Sequence, residues 1–303
     1  MIICDTHCDT LYMRALQPNK TPCVTMDAMK KGGMSLQTCT LYAGNQGMAG
    51  HPYDKAMAEY HAFEHLRDAE GWERVNSPLE AEDGKVKILL SVEGGEIFEG
   101  KVERVHKFYG YGVRMAALTW NNENEIGHSA KSGSKEGIKP RGWEILRAMA
   151  ELKMAADTSH LNEAGFWDLI DKHSQPPMAS HSCAMSLCRH FRNLTDEQIR
   201  AMVKRGGWIG VNFYPSFLSE SGEASVSTIC DHIDYMCQLG AEKNVGFGSD
   251  FDGIETTPTD CKSPADVPKI LDELRRRGYS EEAVADIAGR NFLNYYRRLG
   301  WTE

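Results

Sequence analysis

Short apolar, β-branched runs alternate along this chain with longer stretches of helical periodicity. Residues 2–5, 36–41, 87–93, 113–119, 155–159, 178–181, 208–213 and 245–250 read as strands. Between them, segments such as 55–69, 143–153, 163–172, 196–204 and 227–239 repeat their apolar positions three and four residues apart, the pattern of amphipathic helices. Such alternation predicts a parallel sheet, because parallel partners need a crossover and a helix usually supplies it. Eight strands of this kind predict an α/β fold of the (β/α)8 barrel type. Residues 281–299 carry Ala, Ile, Phe and Leu at helical spacing and are expected to pack on the barrel. Residues 127–142, rich in Gly, Lys and Ser, read as a long loop after the fourth strand. No internal repeat or low-complexity linker breaks the pattern, so one domain over residues 1–303 is expected.

Composition narrows the function classes. A length of 303 residues suits a single barrel, and 41% hydrophobic with 25% charged residues is the balance of a soluble protein with a sizeable core. The net charge of −9, with no basic stripe, argues against a nucleic-acid partner. No stretch approaches the roughly 18 apolar residues of a membrane span. The Met-Ile-Ile start lacks the basic segment of a secretory signal. Nine scattered cysteines, odd in number and without a CxxC pair, fit reduced thiols and a cytoplasmic address.

The candidate chemistry sits at strand ends. His7-x-Asp9 follows the first strand, and residues two apart on a strand point the same way, so an imidazole and a carboxylate stand side by side. The third strand ends in Glu93-Gly94-Gly95, the fifth in His160, the sixth in His181, and the eighth in Asp250-Phe251-Asp252-Gly253. In a barrel these carboxyl ends share one face, where catalytic loops gather. Taken singly, each has a plain structural explanation: a hydrogen-bonded buried histidine, a helix-capping glutamate, a turn aspartate. Together, three histidines and three carboxylates on one face point to divalent metal. Two divalent ions balance Asp9, Glu93, Asp250 and a bridging hydroxide, and Glu93 can give one oxygen to each ion. His51, His61, His65, His106, His173, His190 and His232 lie in helical or polar contexts and read as surface or packing residues.

With these motifs in place, the chain resembles the membrane (renal) dipeptidase family of zinc peptidases, and looks like one of its soluble bacterial members. The likeness runs nearly end to end through Asp5-Thr6-His7-Cys8-Asp9, Ser91-Val92-Glu93-Gly94, Leu118-Thr119-Trp120-Asn121, Asp157-Thr158-Ser159-His160, Ser180-His181-Ser182, Arg192-Asn193, Val211-Asn212-Phe213-Tyr214 and Gly248-Ser249-Asp250-Phe251-Asp252-Gly253. The resemblance implies an amidohydrolase-type barrel with two zinc ions. One is held by His7, Asp9 and Glu93, the other by Glu93, His160 and His181. It implies Arg192 at the substrate's terminal carboxylate, which a planar guanidinium fork suits. It implies Asp250 as the acid/base that orients the hydroxide and passes a proton to the leaving amine. Trp120, Asn212 and Tyr214 are expected along the substrate. Where mammalian members carry a carbonyl-polarising histidine after Leu-Thr, this chain has Trp120, so a metal ion or a nearby Asn121, Asn122 or His128 is left to assist the oxyanion.

The expected function is therefore hydrolysis of dipeptides, C-terminal D-residues included. The rival within the same chemistry is hydrolysis of N-acyl-D-amino acids or related amides, which differ only in the missing α-amine. Phosphotriesterase-like relatives bridge their metals with a modified lysine on the fourth strand, where this chain has none, and deaminase-like ones use HxH. A barrel that has lost catalysis and serves as a scaffold is the rival from another class. All five expected ligands and Asp250 are present, which weighs against it. Family members often pair, so a homodimer is carried as an assembly that no surface feature of the sequence establishes.

Overall fold

The computed structural model describes residues 1–42, 44 and 50–302. Eight parallel strands form a closed barrel: β1 (Cys4–Asp5), β2 (Leu36–Tyr42), β3 (Lys87–Glu93), β4 (Val113–Ala117), β5 (Ala155–Asp157), β6 (Met178–Ala179), β7 (Trp208–Val211) and β8 (Val245–Phe247). Each pairs with its sequence neighbours, and β1 pairs with β8 at Asp5 and Phe247 to close the ring. A two-residue strand, Glu73–Arg74, adds to the start of β3 beneath β4. The predicted barrel is thus present, with every strand on its expected segment. The strands are buried on both faces, which is why they read as near-continuous apolar runs rather than as alternating ones.

Helices Pro52–Glu70, Pro140–Glu151, Glu163–Lys172, Asp196–Lys204 and Val226–Gln238 lie on the predicted segments, the second and the last ending two and one residues early. The loop expected over 127–142 ends at residue 139, where Pro140 opens a helix, a position that tolerates its missing N–H. The C-terminal segment is helical from Glu281 to Arg298, with a π-turn over Asp286–Arg290. Gly289 lies in that turn, where a Cβ would come within 2.8 Å of the Ile2 carbonyl oxygen and 2.9 Å of Cys4 Sγ. Phe292, Tyr295 and Tyr296 pack there against Cys4, Leu36, Leu89, Met115, Met178 and Trp208 from the starts of the strands. The Tyr295 and Tyr296 hydroxyls donate to the carbonyls of Pro176 and Arg114, each at 3.0 Å. One mouth of the barrel is therefore plugged, and the chemistry is confined to the other.

Candidate active site

β1 is short, but its extended course continues. Cys8 bridges Phe251, Asp9 N–H donates to the Phe251 carbonyl at 3.0 Å, and Asp250 N–H donates to that of His7 at 3.1 Å. The alternation expected of a strand thus carries past residue 5, and His7 and Asp9 turn to the same side. His7 Nε2 lies 3.4 Å from Asp9 Oδ2, 3.7 Å from Glu93 Oε1 and 3.8 Å from Asp250 Oδ1. Glu93 Oε1 is also 3.0 Å from His160 Nε2 and 3.4 Å from His181 Nε2. All six side chains predicted from strand ends meet at the rim. Two sets of ligand atoms, His7–Glu93–His181 and His7–Asp9–Asp250, fall within a 4.8 Å span that could hold a metal ion.

The hydrogen bonds behind the histidines orient them. His160 Nδ1 faces Asn121 Oδ1 at 3.2 Å, and an amide oxygen only accepts, so this nitrogen carries the proton. His181 Nδ1 lies 2.7 Å from Ser180 Oγ, which itself donates to Asp157 Oδ2, so the hydroxyl accepts from the imidazole. Both rings are buried, and burial holds both pKa values well below the ordinary histidine value, with Arg192 and His7 adding to it. Their Nε2 atoms are therefore bare lone pairs, facing each other at 3.1 Å. Two opposed lone pairs repel unless a cation lies between or beside them.

The carboxylates tell the same story. Burial pushes Glu93 well above the usual carboxylate range although His7 pulls it down. Burial lifts Asp250 to about 7 against the pull of His7, and Asp9 adds to the rise. Burial alone would lower His7, yet Glu93, Asp9 and Asp250 raise it to about 10. The cluster draws positive charge onto its nearest imidazole, and a bound cation would supply that charge instead. His7 Nε2 has no hydrogen-bond partner among the described residues. Donor types, tautomers and unmet charge all fit divalent metal, with second partners on the imidazoles of the kind metal-ligating histidines use.

The loop after β8 is shaped around this cluster. Asp250 (φ 63°) and Asp252 (φ 68°) adopt left-handed backbone, which aspartate tolerates better than most residues. Asp252 accepts the N–H groups of Cys23 at 2.7 Å and Val24 at 3.2 Å, tying the 18–25 segment to the rim. A Cβ on Gly253 would fall 2.1 Å from Asp9 Oδ2 and 2.7 Å from Asp250 Oδ1, so a larger residue there would push both carboxylates out of place. Asp5, buried beneath, accepts from Ser249 N–H at 2.8 Å and from Gln37 Nε2 at 2.9 Å, fixing where the loop leaves β8.

A cavity of about 570 Å³ opens above the cluster, walled by Asp9, Glu93, Trp120, His160, Arg192, Tyr214 and Asp250 among others. Arg192 is buried, and none of its three guanidinium nitrogens has a hydrogen-bond partner among the described residues. The loop bearing it is held from behind: Asn193 Nδ2 donates to the carbonyls of Cys188 and Phe217, each at 2.8 Å, and Ala184 N–H donates to His232 Nδ1 at 3.1 Å.

One expectation needs correction and another extension. Asn212 does not reach the substrate cavity. It is fully buried, donates to Asp250 Oδ2 at 2.8 Å and accepts Tyr214 N–H at 2.6 Å, so it buttresses Asp250 instead. His190, expected as a surface or packing residue, does pack, but at the cavity itself. It lines the cavity, stacked between Phe191 and Phe217 at 4.5 and 4.4 Å. Of the three groups named to stand in for the missing histidine, only Asn121 lines the cavity. His128 faces Glu123 and Glu136 instead. Trp120 packs edge-on to Tyr42 at 5.1 Å, and Tyr42 to Tyr12 at 5.2 Å, an aromatic wall the sequence pattern did not mark. The only signal for it was the position of Tyr42 one residue beyond the predicted second strand.

The family model for membrane dipeptidase (peptidase family M19) matches residues 1–299. An uncharacterized protein of Klebsiella pneumoniae is 35% identical over 232 residues, covering 73% of this chain and 85% of that protein. A dipeptidase of Aspergillus oryzae is 30% identical over 224 residues, 73% of this chain, and the match spans about half of that longer protein, 52%. Among solved structures, a metallopeptidase from Rhodobacter sphaeroides, liganded with a phosphinate mimic of the dipeptide L-Ala-D-Ala, superposes with a TM-score of 0.91 at 25% identity over 99% of both chains. A histidine–carboxylate cluster at the open rim of a barrel is what a metallopeptidase of this kind requires, and with a family match running from the first residue to the last helix, this chain belongs to the membrane dipeptidase family.

Proposed function

We propose that the chain is a zinc-dependent dipeptidase whose single barrel domain, residues 1–303, holds two divalent ions. His7, Asp9 and Glu93 hold one, and Glu93, His160 and His181 the other. The observation that carries this reading is the pair of bare Nε2 lone pairs on His160 and His181, opposed at 3.1 Å over Glu93 and next to an unpaired Arg192. When bound, the ions would polarise the scissile carbonyl and lower the pKa of water. Arg192 receives the terminal carboxylate by a forked, charge-assisted pair and so measures the length of the substrate. Asp250 takes the proton of the attacking water and hands it to the leaving amine. Asn212, bonded to Asp250 Oδ2, keeps the other carboxylate oxygen turned toward the cluster. Trp120, Tyr42 and Tyr214 exclude solvent from the peptide. A cytoplasmic address rests on the odd, scattered cysteines, and a homodimer on the resemblance to the family.

The test is a panel of L-L and L-D dipeptides set beside N-acyl-amino acids, with metal analysis of the same preparation. Dipeptide turnover by protein carrying close to two divalent ions is the expected result. Faster turnover of the N-acyl compounds would reassign the substrate. Well under one ion per chain after reconstitution with zinc would favour a scaffold.

A further inference from the structure

β5 and β6 are short, and the ladder between them is a single pair, Asp157 with Met178. Beyond that pair, side chains take over from the ladder. Asp157 Oδ1 accepts Ser159 N–H at 2.9 Å, Ser159 Oγ–H at 2.7 Å and Ser180 N–H at 2.9 Å, while Oδ2 accepts the Ser180 hydroxyl. Ser159 Oγ in turn accepts His181 N–H at 3.1 Å. Ser159 and Ser180 directly precede His160 and His181, so one buried carboxylate fixes where both histidines leave their strands.

The three imidazoles are not backed alike. His160 Nδ1 faces the neutral amide oxygen of Asn121, and His7 Nδ1 lies 3.4 Å from the Thr40 hydroxyl. Behind His181 stands a relay: Ser180 Oγ accepts the ring Nδ1–H at 2.7 Å and gives its own proton to Asp157. A hydroxyl has one proton, so the last member sets the direction of this chain. A carboxylate there can only accept, every proton points toward it, and His181 Nε2 is left bare. The four donors to Asp157 are all neutral, so they satisfy its oxygens without cancelling its charge. A buried charge without a counter-ion is costly, and a cation on His181 Nε2 would act as one through the ring.

We propose that Asp157 is a positioning residue: through Ser180 it holds His181 in the Nδ1–H tautomer and so strengthens the hold on the ion that His181 shares with Glu93 and His160. The inference rests on the reading that His181 is a metal ligand. Asp157 itself lies behind the ring and touches neither ion nor substrate.

An amide in the same place would reverse the chain. In Asp157→Asn the three donors around Oδ1 keep the amide oxygen there, which sets the NH2 group against Ser180 Oγ. Ser180 must then accept from the amide and turn its own proton away. The acceptor within closest reach is His181 Nδ1 at 2.7 Å, ahead of Ser159 Oγ at 3.2 Å. The ring proton moves to Nε2, the atom that faces Glu93 and His160, and the lone pair for the metal is gone.

Two measurements on the full chain test this without using turnover. Competition with a chromogenic chelator gives the dissociation constants of the two zinc ions. Nuclear magnetic resonance of isotope-labelled histidine rings, with His181 assigned by its loss in His181→Gln, reports the tautomer in the metal-free chain. Asp157→Asn is expected to weaken one ion by about 10–100-fold, to keep the other, and to move the His181 proton to Nε2. Ser180→Ala breaks the relay without adding a donor, and is expected to weaken the same ion without forcing the tautomer. Both ions held as in the wild type by a folded Asp157→Asn overturns the proposal. So does a wild-type His181 protonated on Nε2, a result that needs no variant to fold. A wild-type chain that takes up no zinc, while the tautomer still reverses in Asp157→Asn, overturns the metal reading and leaves the relay standing.

Discussion

Asp250 combines three constraints that rarely meet in one residue. Its backbone is left-handed, its carboxyl is raised to about 7 by burial, and one of its oxygens is tied to Asn212 while the other faces His7. Strained backbone persists where surrounding contacts over-determine it, and such positions gather at functional sites. Replacing Asp250 with Asn keeps the shape, tolerates the left-handed backbone and leaves Asn212 Nδ2 an oxygen to bond. It removes the negative charge and with it the ability to take a proton. Asp250→Asn is therefore expected to lower kcat by at least about 100-fold with the metal content retained. Dipeptide hydrolysis near the wild-type rate in a fully metallated variant would show that the proton goes elsewhere.

At the scale of elements, what was legible in the sequence depended on how local its cause was. The strands could be read because a parallel sheet buried on both faces requires unbroken apolar runs, and their ends could be read because strand geometry fixes where His7, Asp9 and Glu93 point. His190 could not be read in the same way. Its place in the cavity is set by stacking on Phe217, from the short helix Pro215–Leu218 after β7, and nothing in its own neighbourhood signals that. Asn212 sits within a recognisable motif, but whether it faces substrate or Asp250 is decided by the left-handed turn of a different loop. Helix Glu163–Lys172 carries a consequence of its own at its far end. His173 is buried with Nε2 lacking a partner among the described residues, and burial, helped by Arg205, lowers its pKa to about 4. A pKa below the unfolded value of about 6.5 means that the unfolded chain binds the proton more readily. The stabilisation is thus present above about pH 6.5 and is lost as the pH falls toward 4. Between pH 7 and pH 5 it amounts to about 2 kcal/mol. In urea unfolding at those two pH values, His173→Gln is expected to lose less stability than the wild type by roughly that amount. Since all other titrating groups are shared, an identical pH dependence in the two proteins would mean that His173 is not held neutral.

For the whole molecule, the two mouths of the barrel have opposite roles. The plugged mouth stabilises, with Trp208, Phe292, Tyr295 and Tyr296 buried together beneath the strand starts. The open mouth strains the fold, because Asp9, Glu93 and Asp250 crowd around His7 while Glu93 also lies against the two lone-pair nitrogens of His160 and His181. Ions that bind the folded barrel and not the unfolded chain relieve that strain and add stability by mass action, about 4 kcal/mol for each ion when free metal stands at 1,000 times its Kd. For a chain of 303 residues the unfolding entropy is large, so each ion moves Tm by only roughly 6 °C. Stripping the metals with a chelator is therefore expected to lower Tm by several degrees and abolish turnover, while the far-ultraviolet circular dichroism of the barrel is retained below the transition. Zinc added back should restore both. Because the core and its plug lie at the other end, the loss is expected to be confined to the rim, read as faster amide exchange in the segments that follow β1, β3 and β8. A metal-stripped protein with unchanged Tm and unchanged exchange at those segments would show that the carboxylate cluster carries no strain, and that the argument for cations drawn from its unmet charge is wrong.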